Sequence, residues 1–153
     1  MDIKETLDWA LEVATYAKEI NAKQWQNVML EGRSGFGKTS ITKQWAEEKD
    51  ILLVEPNLAF DASSIYEEDE YGILRPKKVE NPVDLAKEVI FNFLKNYRNK
   101  ENFILLLDDF HLVTEEKVEA INYTIDTHKI VNPVTNEEIE LDNILFTIAI
   151  KTK

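Results

Sequence analysis

Apolar residues recur at helical spacing over residues 3–22, where Ile3, Leu7, Ala10, Leu11, Ala14, Ala17 and Ile20 fall near one face, and Asp2 followed by Glu5 has the form of a capping box. An amphipathic N-terminal helix is predicted there. The period then changes. Residues 27–31 are a run short enough for one strand, residues 40–49 are helix-forming and contain Trp45 and Ala46, and residues 51–55 predict a second strand. The apolar positions 51–54 are continuous rather than alternating, which suits a strand covered on both faces of a parallel sheet, and Pro56 ends it.

Over residues 57–80 periodicity fails, which predicts a long loop carrying the acidic cluster Glu67, Glu68, Asp69 and Glu70 and the pair Lys77 and Lys78. Asn81 and Pro82 open the next helix, cap first and proline in the first turn. Its predicted apolar face is Leu85, Val89, Phe93 and Leu94, with Val83, Ile90 and Tyr97 beside it, and it frays near Asn99. Phe103–Leu107 is an unbroken apolar run that ends in Asp108 and Asp109. Thr114 is placed to cap a helix over residues 115–127 that buries Val118, Ile121 and Ile125. Residues 130–141 read as a hairpin around residues 132–136, and residues 144–150 as the last strand. Strands alternating with helices predict an α/β domain whose sheet is largely parallel and covered on both faces.

Composition narrows the classes. A chain of 153 residues with 44% hydrophobic residues suffices for one domain over residues 1–153, divided into an N-terminal helix at 1–26 and a core at 27–153. The net charge of −11 disfavours direct, sequence-independent nucleic-acid binding. There is no cysteine, hence no disulfide framework or thiolate metal site, and no apolar run of membrane-spanning length. No membrane partner is expected. His111 and His128 are too far apart for a zinc spacing and read as surface or capping residues.

Against this background residues 32–39, Gly-Arg-Ser-Gly-Phe-Gly-Lys-Thr, are a full match to the phosphate-binding loop pattern G-x-x-x-x-G-K-[ST], between a predicted strand and a predicted helix. Glycines at 32, 35 and 37 let backbone amides turn inward on a polyphosphate. The binding set is Gly32, Arg33, Ser34, Gly35, Phe36, Gly37, Lys38, Thr39 and Ser40. Lys38 reaches the β- and γ-phosphates, and the helix N-terminus adds its unpaired donors. The Thr39 hydroxyl is a ligand for magnesium. Asp108, at the C-terminal end of a buried strand, is the second magnesium candidate, and Asp109 is positioned to polarise an attacking water, so Lys38 and Asp109 are the candidate catalytic residues. The expected cofactors are ATP and Mg2+, and ATP in turn implies a cytoplasmic protein.

The phosphate loop, the Walker B form of residues 103–109, the following helix, the hairpin and the last strand together resemble the AAA+ ATPase core, most closely its MoxR-like branch. The resemblance covers most of residues 27–152. It implies a P-loop NTPase of AAA+ type, a three-layer αβα sandwich lacking the C-terminal helical lid, with Thr152 or Lys151 in the place of the polar sensor. It implies an ATP-hydrolysing domain with slow or partner-dependent turnover that drives or gates an assembly or remodelling step. Asp109 stands where the family has glutamate, one methylene shorter, which favours a second reading: a non-hydrolysing nucleotide-binding adaptor. A P-loop small-molecule kinase is a third. The family's strand order would leave the edge of the phosphate-loop strand unpaired, so a homo-oligomer or a covering protein partner is expected. Arg75 is the candidate for an arginine finger acting in trans. Trp9, Trp25 and Trp45 are expected to pack the N-terminal and phosphate-loop helices, with one of them or Tyr16 near the adenine.

Overall fold

The computed structural model describes residues 2–22, 27–33, 37–58, 66–76, 81–98 and 101–152. Four helices are present among them: α1 (Ile3–Glu19), α2 (Lys38–Glu48), α3 (Pro82–Leu94) and α4 (Glu115–Thr127). The main sheet contains β1 (Asn27–Gly32), β2 (Leu52–Val54), β5 (Phe103–Leu107) and β8 (Ile144–Thr152), and all its pairings are parallel. Their spatial order is β1-β8-β5-β2, which leaves β1 as an edge strand. Two antiparallel hairpins lie outside that sheet, β3 (Tyr66–Glu68) with β4 (Leu74–Pro76), and β6 (Lys129–Asn132) with β7 (Glu137–Glu140).

Helices cover both faces, and the alternation of β5 divides its side chains between two cores. Phe103, Leu105 and Leu107 join Ala86, Ile90, Phe91 and Leu94 of α3 and Ala120 and Ile121 of α4. Ile104 and Leu106 join Leu7, Ala10 and Ala14 of α1 and Trp45 and Ala46 of α2. All five strand residues are buried, so an unbroken apolar run is what this position demands. In β8 a register shift opposite residues 103–105 inserts one extra residue. Ile144 and Phe146, two apart, therefore serve opposite cores, which a regular strand does not permit.

The helix ends follow local chemistry. Asp2 accepts from Glu5 N at 2.8 Å, and Asn81 accepts from Val83 N at 3.0 Å ahead of Pro82. Thr114 sits at the N-cap of α4, but its side chain makes no capping hydrogen bond, contrary to expectation. The predicted faces of α3 and α4 are corrected as well. Val89, Phe93, Val118 and Ile125 are only half-buried, while Ala86, Phe91, Lys117, Ala120 and Thr124 are buried, because two flanking elements share each helix. The 57–80 segment is not structureless: it contains the β3–β4 hairpin, held by Asp69, which accepts from Tyr71 N, Ile73 N and the Arg75 Nε. The Arg75 bond, first, and the amides together hold the Asp69 carboxyl below its usual range.

The expectation of an AAA+ type P-loop NTPase sandwich is corrected to a plainer description. Among the described residues the chain is an α/β domain with a small parallel sheet of four strands and two separate two-stranded hairpins. No helix among the described residues is long and apolar enough to cross a membrane.

Candidate functional site

The site forms where β1, β5 and β8 end on the same side of the sheet. Parallel strands deliver the residues after their C-terminal ends to one rim, so Gly32, Asp108 and Thr152 become neighbours although they are distant in sequence. Gly37 is the N-cap of α2 and has φ 70°, in the left-handed region that favours glycine. Lys38 and Thr39 follow as the first two residues of the helix.

Lys38 is buried, 9% exposed, and its ammonium donates to Gly32 O at 3.1 Å and Arg33 O at 2.8 Å. The cation is thus folded back over the loop's own carbonyls. Thr39 Oγ1 lies 3.1 Å from both carboxylate oxygens of Asp108 and donates to that group. A cavity of about 250 Å3 is lined by Gly37, Lys38, Thr39, Ser40, Asp108, Asp109, Ile150 and Thr152. Asp109 borders it from a left-handed backbone, φ 50°, an unusual state for a residue with a side chain. Its amide donates to Asp108 Oδ1 at 2.9 Å, so the strained turn also orients the neighbouring carboxylate.

These residues suit a magnesium ion. In an octahedral shell with metal–oxygen distances of about 2.1 Å, adjacent oxygens lie about 3 Å apart. Thr39 Oγ1 and one Asp108 oxygen, now 3.1 Å apart in a hydrogen bond, would be close enough to share one such ion. Hydroxyl and carboxylate are hard oxygen donors. Among the described residues no group of three or more His, Asp or Glu is arranged to hold a metal. Thr39 and Asp108 would supply two of its ligands, and magnesium commonly takes the remainder from water and substrate phosphate.

The remaining sequence-predicted residues divide clearly. Gly32, Arg33, Gly37, Lys38, Thr39, Ser40, Asp108 and Asp109 gather on this rim, whereas Ser34, Gly35 and Phe36 lie outside the described residues. Trp25 also lies outside them. Trp45 is buried, packs on Phe146 and donates Nε1 to Asp8, while Trp9 and Tyr16 are largely exposed on α1. Arg75 commits its guanidinium to Asp69 of its own hairpin, 2.6 Å away, so its role as a trans finger is set aside.

Sequence reasoning missed two features. His111 Nδ1 accepts from Thr152 N at 3.3 Å, tying the end of β8 to the turn after Asp109, and Lys151 lies over the Phe110 ring. A second cavity, about 360 Å3, shares Asp108 and Asp109 with the first and is otherwise lined by Glu55, Pro56, Asn57, Leu58, Leu112 and Val113. Lys117, buried on α4, donates to Leu58 O at 2.6 Å beside it. The predicted face of that helix, Val118, Ile121 and Ile125, gives no place to Lys117.

No protein-family model matches the chain. Two uncharacterized proteins of Staphylococcus aureus, from strains USA300 and Mu50 / ATCC 700699, are each 26% identical over 119 residues, which is 75% of this chain and 42% of theirs. The chain thus spans about two fifths of the length of these relatives. Among solved structures, a chain of the E. coli MS115-1 HORMA:CdnC:Trip13 complex matches with a TM-score of 0.54 and 16% identity, over 98% of this chain and 55% of that one. The identification as a MoxR-like AAA+ ATPase is corrected on these findings, together with the ATPase-driven remodelling function attached to it. What the structural likeness shows is a shared α/β fold.

Proposed function

We propose that this chain is a nucleotide-responsive interaction module of the cytoplasm. In this reading residues 32–40 and Asp108 hold the polyphosphate and magnesium of a nucleotide such as ATP, and occupancy controls association with a protein partner without turnover. The observation that supports it best is the meeting of Thr39 Oγ1 with both oxygens of Asp108, 69 residues away, beside a buried Lys38 ammonium. Neither a random glycine turn nor a solvated strand end requires that convergence.

The route to a partner is short. Gly32 is the last residue of the edge strand β1, and its carbonyl is one of the two groups that hold Lys38. A phosphate that attracts the ammonium releases that carbonyl, so ligand occupancy alters hydrogen bonding at the end of an unpaired edge, where another chain can pair. The membership of the structurally similar chain in a multi-protein complex supports a partner of this kind.

Calorimetry with ATP, with and without magnesium, tests binding, and phosphate release over a protein concentration series tests turnover. Magnesium-dependent binding with no release at any concentration is expected. Absence of binding, or release that rises per chain with concentration, refutes the proposal.

A further inference from the structure

Helix α1 carries two apolar stripes, of which the core uses one. Leu7, Ala10 and Ala14 are buried against the sheet. Trp9, Val13, Tyr16 and Ile20, spaced four, three and four residues apart, form a second stripe on the far side of the helix. Trp9 is 50% exposed, Tyr16 62% and Ile20 56%, and Val13 is half-buried. Exposed aromatic and aliphatic side chains aligned along one helix face, ending at the C-cap residue Ile20, are the arrangement by which a helix presents an interaction seam.

The charges beside the seam say what fits it. Glu5, Glu12 and Glu19 recur every seven residues, each three or four positions from Trp9 or Tyr16, and form a row of carboxylates along one flank. None of the three carboxylates has an ion pair among the described residues. The other charged side chains of α1 turn elsewhere: Lys4 pairs with Glu48, Asp8 with Lys49 and the Trp45 indole, and Lys18 donates to Asn102. Among the described residues a second copy of the chain brings no cation to either flank of its own seam, and the net charge of −11 opposes close approach.

We infer that α1 is the docking surface for an amphipathic helix of another protein, one with an apolar heptad seam and a row of Lys or Arg beside it. Seam contacts give the affinity and the Glu5, Glu12 and Glu19 ridge sets partner and direction, as flanking charges do in coiled coils. None of the seam residues lines the cavity beside Lys38 and Thr39.

Two synthetic helical peptides of about four heptads, identical in a leucine seam and differing in lysine or glutamate on the flanks, are the probes for fluorescence anisotropy with the whole chain. The lysine peptide is expected to bind at least about tenfold more tightly than the glutamate peptide. Trp9→Ser with Tyr16→Ser is expected to weaken it at least about tenfold. Both side chains are exposed, and an unchanged melting temperature shows that the variant folds. Glu5→Lys, Glu12→Lys and Glu19→Lys together are expected to invert the preference. No binding, equal binding of both peptides, or indifference to the seam variant overturns the inference. A self-associated particle that becomes monomeric in Trp9→Ser with Tyr16→Ser overturns it too, since the seam then belongs to a second copy.

Discussion

Replacing Lys38 by alanine separates its structural from its binding contribution. In the free protein the ammonium makes two bonds to carbonyls, Gly32 O and Arg33 O, of which the first residue is half-buried and the second exposed. Hydrogen bonds to charged groups contribute a net of about 1.5–3 kcal/mol each in typical mutational series. Here water reaches the carbonyls once the side chain is gone, so the variant is expected to lose only about 1 kcal/mol of stability. A bound polyphosphate recruits the same cation, whose residue is 9% exposed in the free protein, so its attraction for an anion is screened less than that of a surface lysine. After the two carbonyl bonds have been given up, about 2–3 kcal/mol of binding is expected to depend on Lys38, which is about thirty- to a hundred-and-fortyfold in Kd. Calorimetric titration with ATP and magnesium measures it, alongside a thermal melt. Lys43→Ala is the charge control: it removes a lysine of the same helix that pairs with Glu55 at 3.6 Å on the surface, and should change Kd by less than about twofold. Equal affinity of wild type and Lys38→Ala, or equal losses in both variants, refutes the reasoning.

Three other outcomes follow from the same geometry. Thr39→Val keeps the shape but removes the hydroxyl that faces Asp108, so ATP affinity should become nearly independent of magnesium in a titration repeated with EDTA. Phe146→Ala empties a fully buried ring that packs on Trp45 and should cost about 3–5 kcal/mol in urea unfolding. Asp8 is held below the usual carboxylate range, first by the Trp45 indole and then by Lys49. A depressed folded pKa stabilises above the unfolded value and stops doing so as pH falls through the folded one. The melting-temperature gap between wild type and Asp8→Asn should therefore be full at pH 6 and close below about pH 4, and a gap constant across that range refutes the assignment.

Local chemistry wrote much of this chain in a form that periodicity can read. The positions of α1, α3, β5 and β8 and the Asn81 cap follow from interactions within a few residues, and so does the glycine required at Gly37. The phosphate-loop pattern and the paired aspartates were visible for the same reason, since each is a local spacing. The family drawn from them was not secure, because a short motif constrains a site more tightly than it constrains the identity of the protein around it. The Asp69 hairpin inside residues 57–80 escaped detection because one carboxylate holds it, with little hydrophobic alternation to announce it.

Tertiary structure alone decided which local features meet. The parallel order β1-β8-β5-β2 puts Thr39 beside Asp108 and Thr152 beside His111, pairs that sequence separation hides. The extra residue in β8 sends Ile144 and Phe146 to opposite cores, although their spacing assigns them to one face. Packing of α1 against the sheet consumed one apolar stripe and left Trp9, Tyr16 and Ile20 outside. Sequence fixes the period of a stripe through backbone geometry, but which stripe becomes core depends on what the rest of the chain has space to cover.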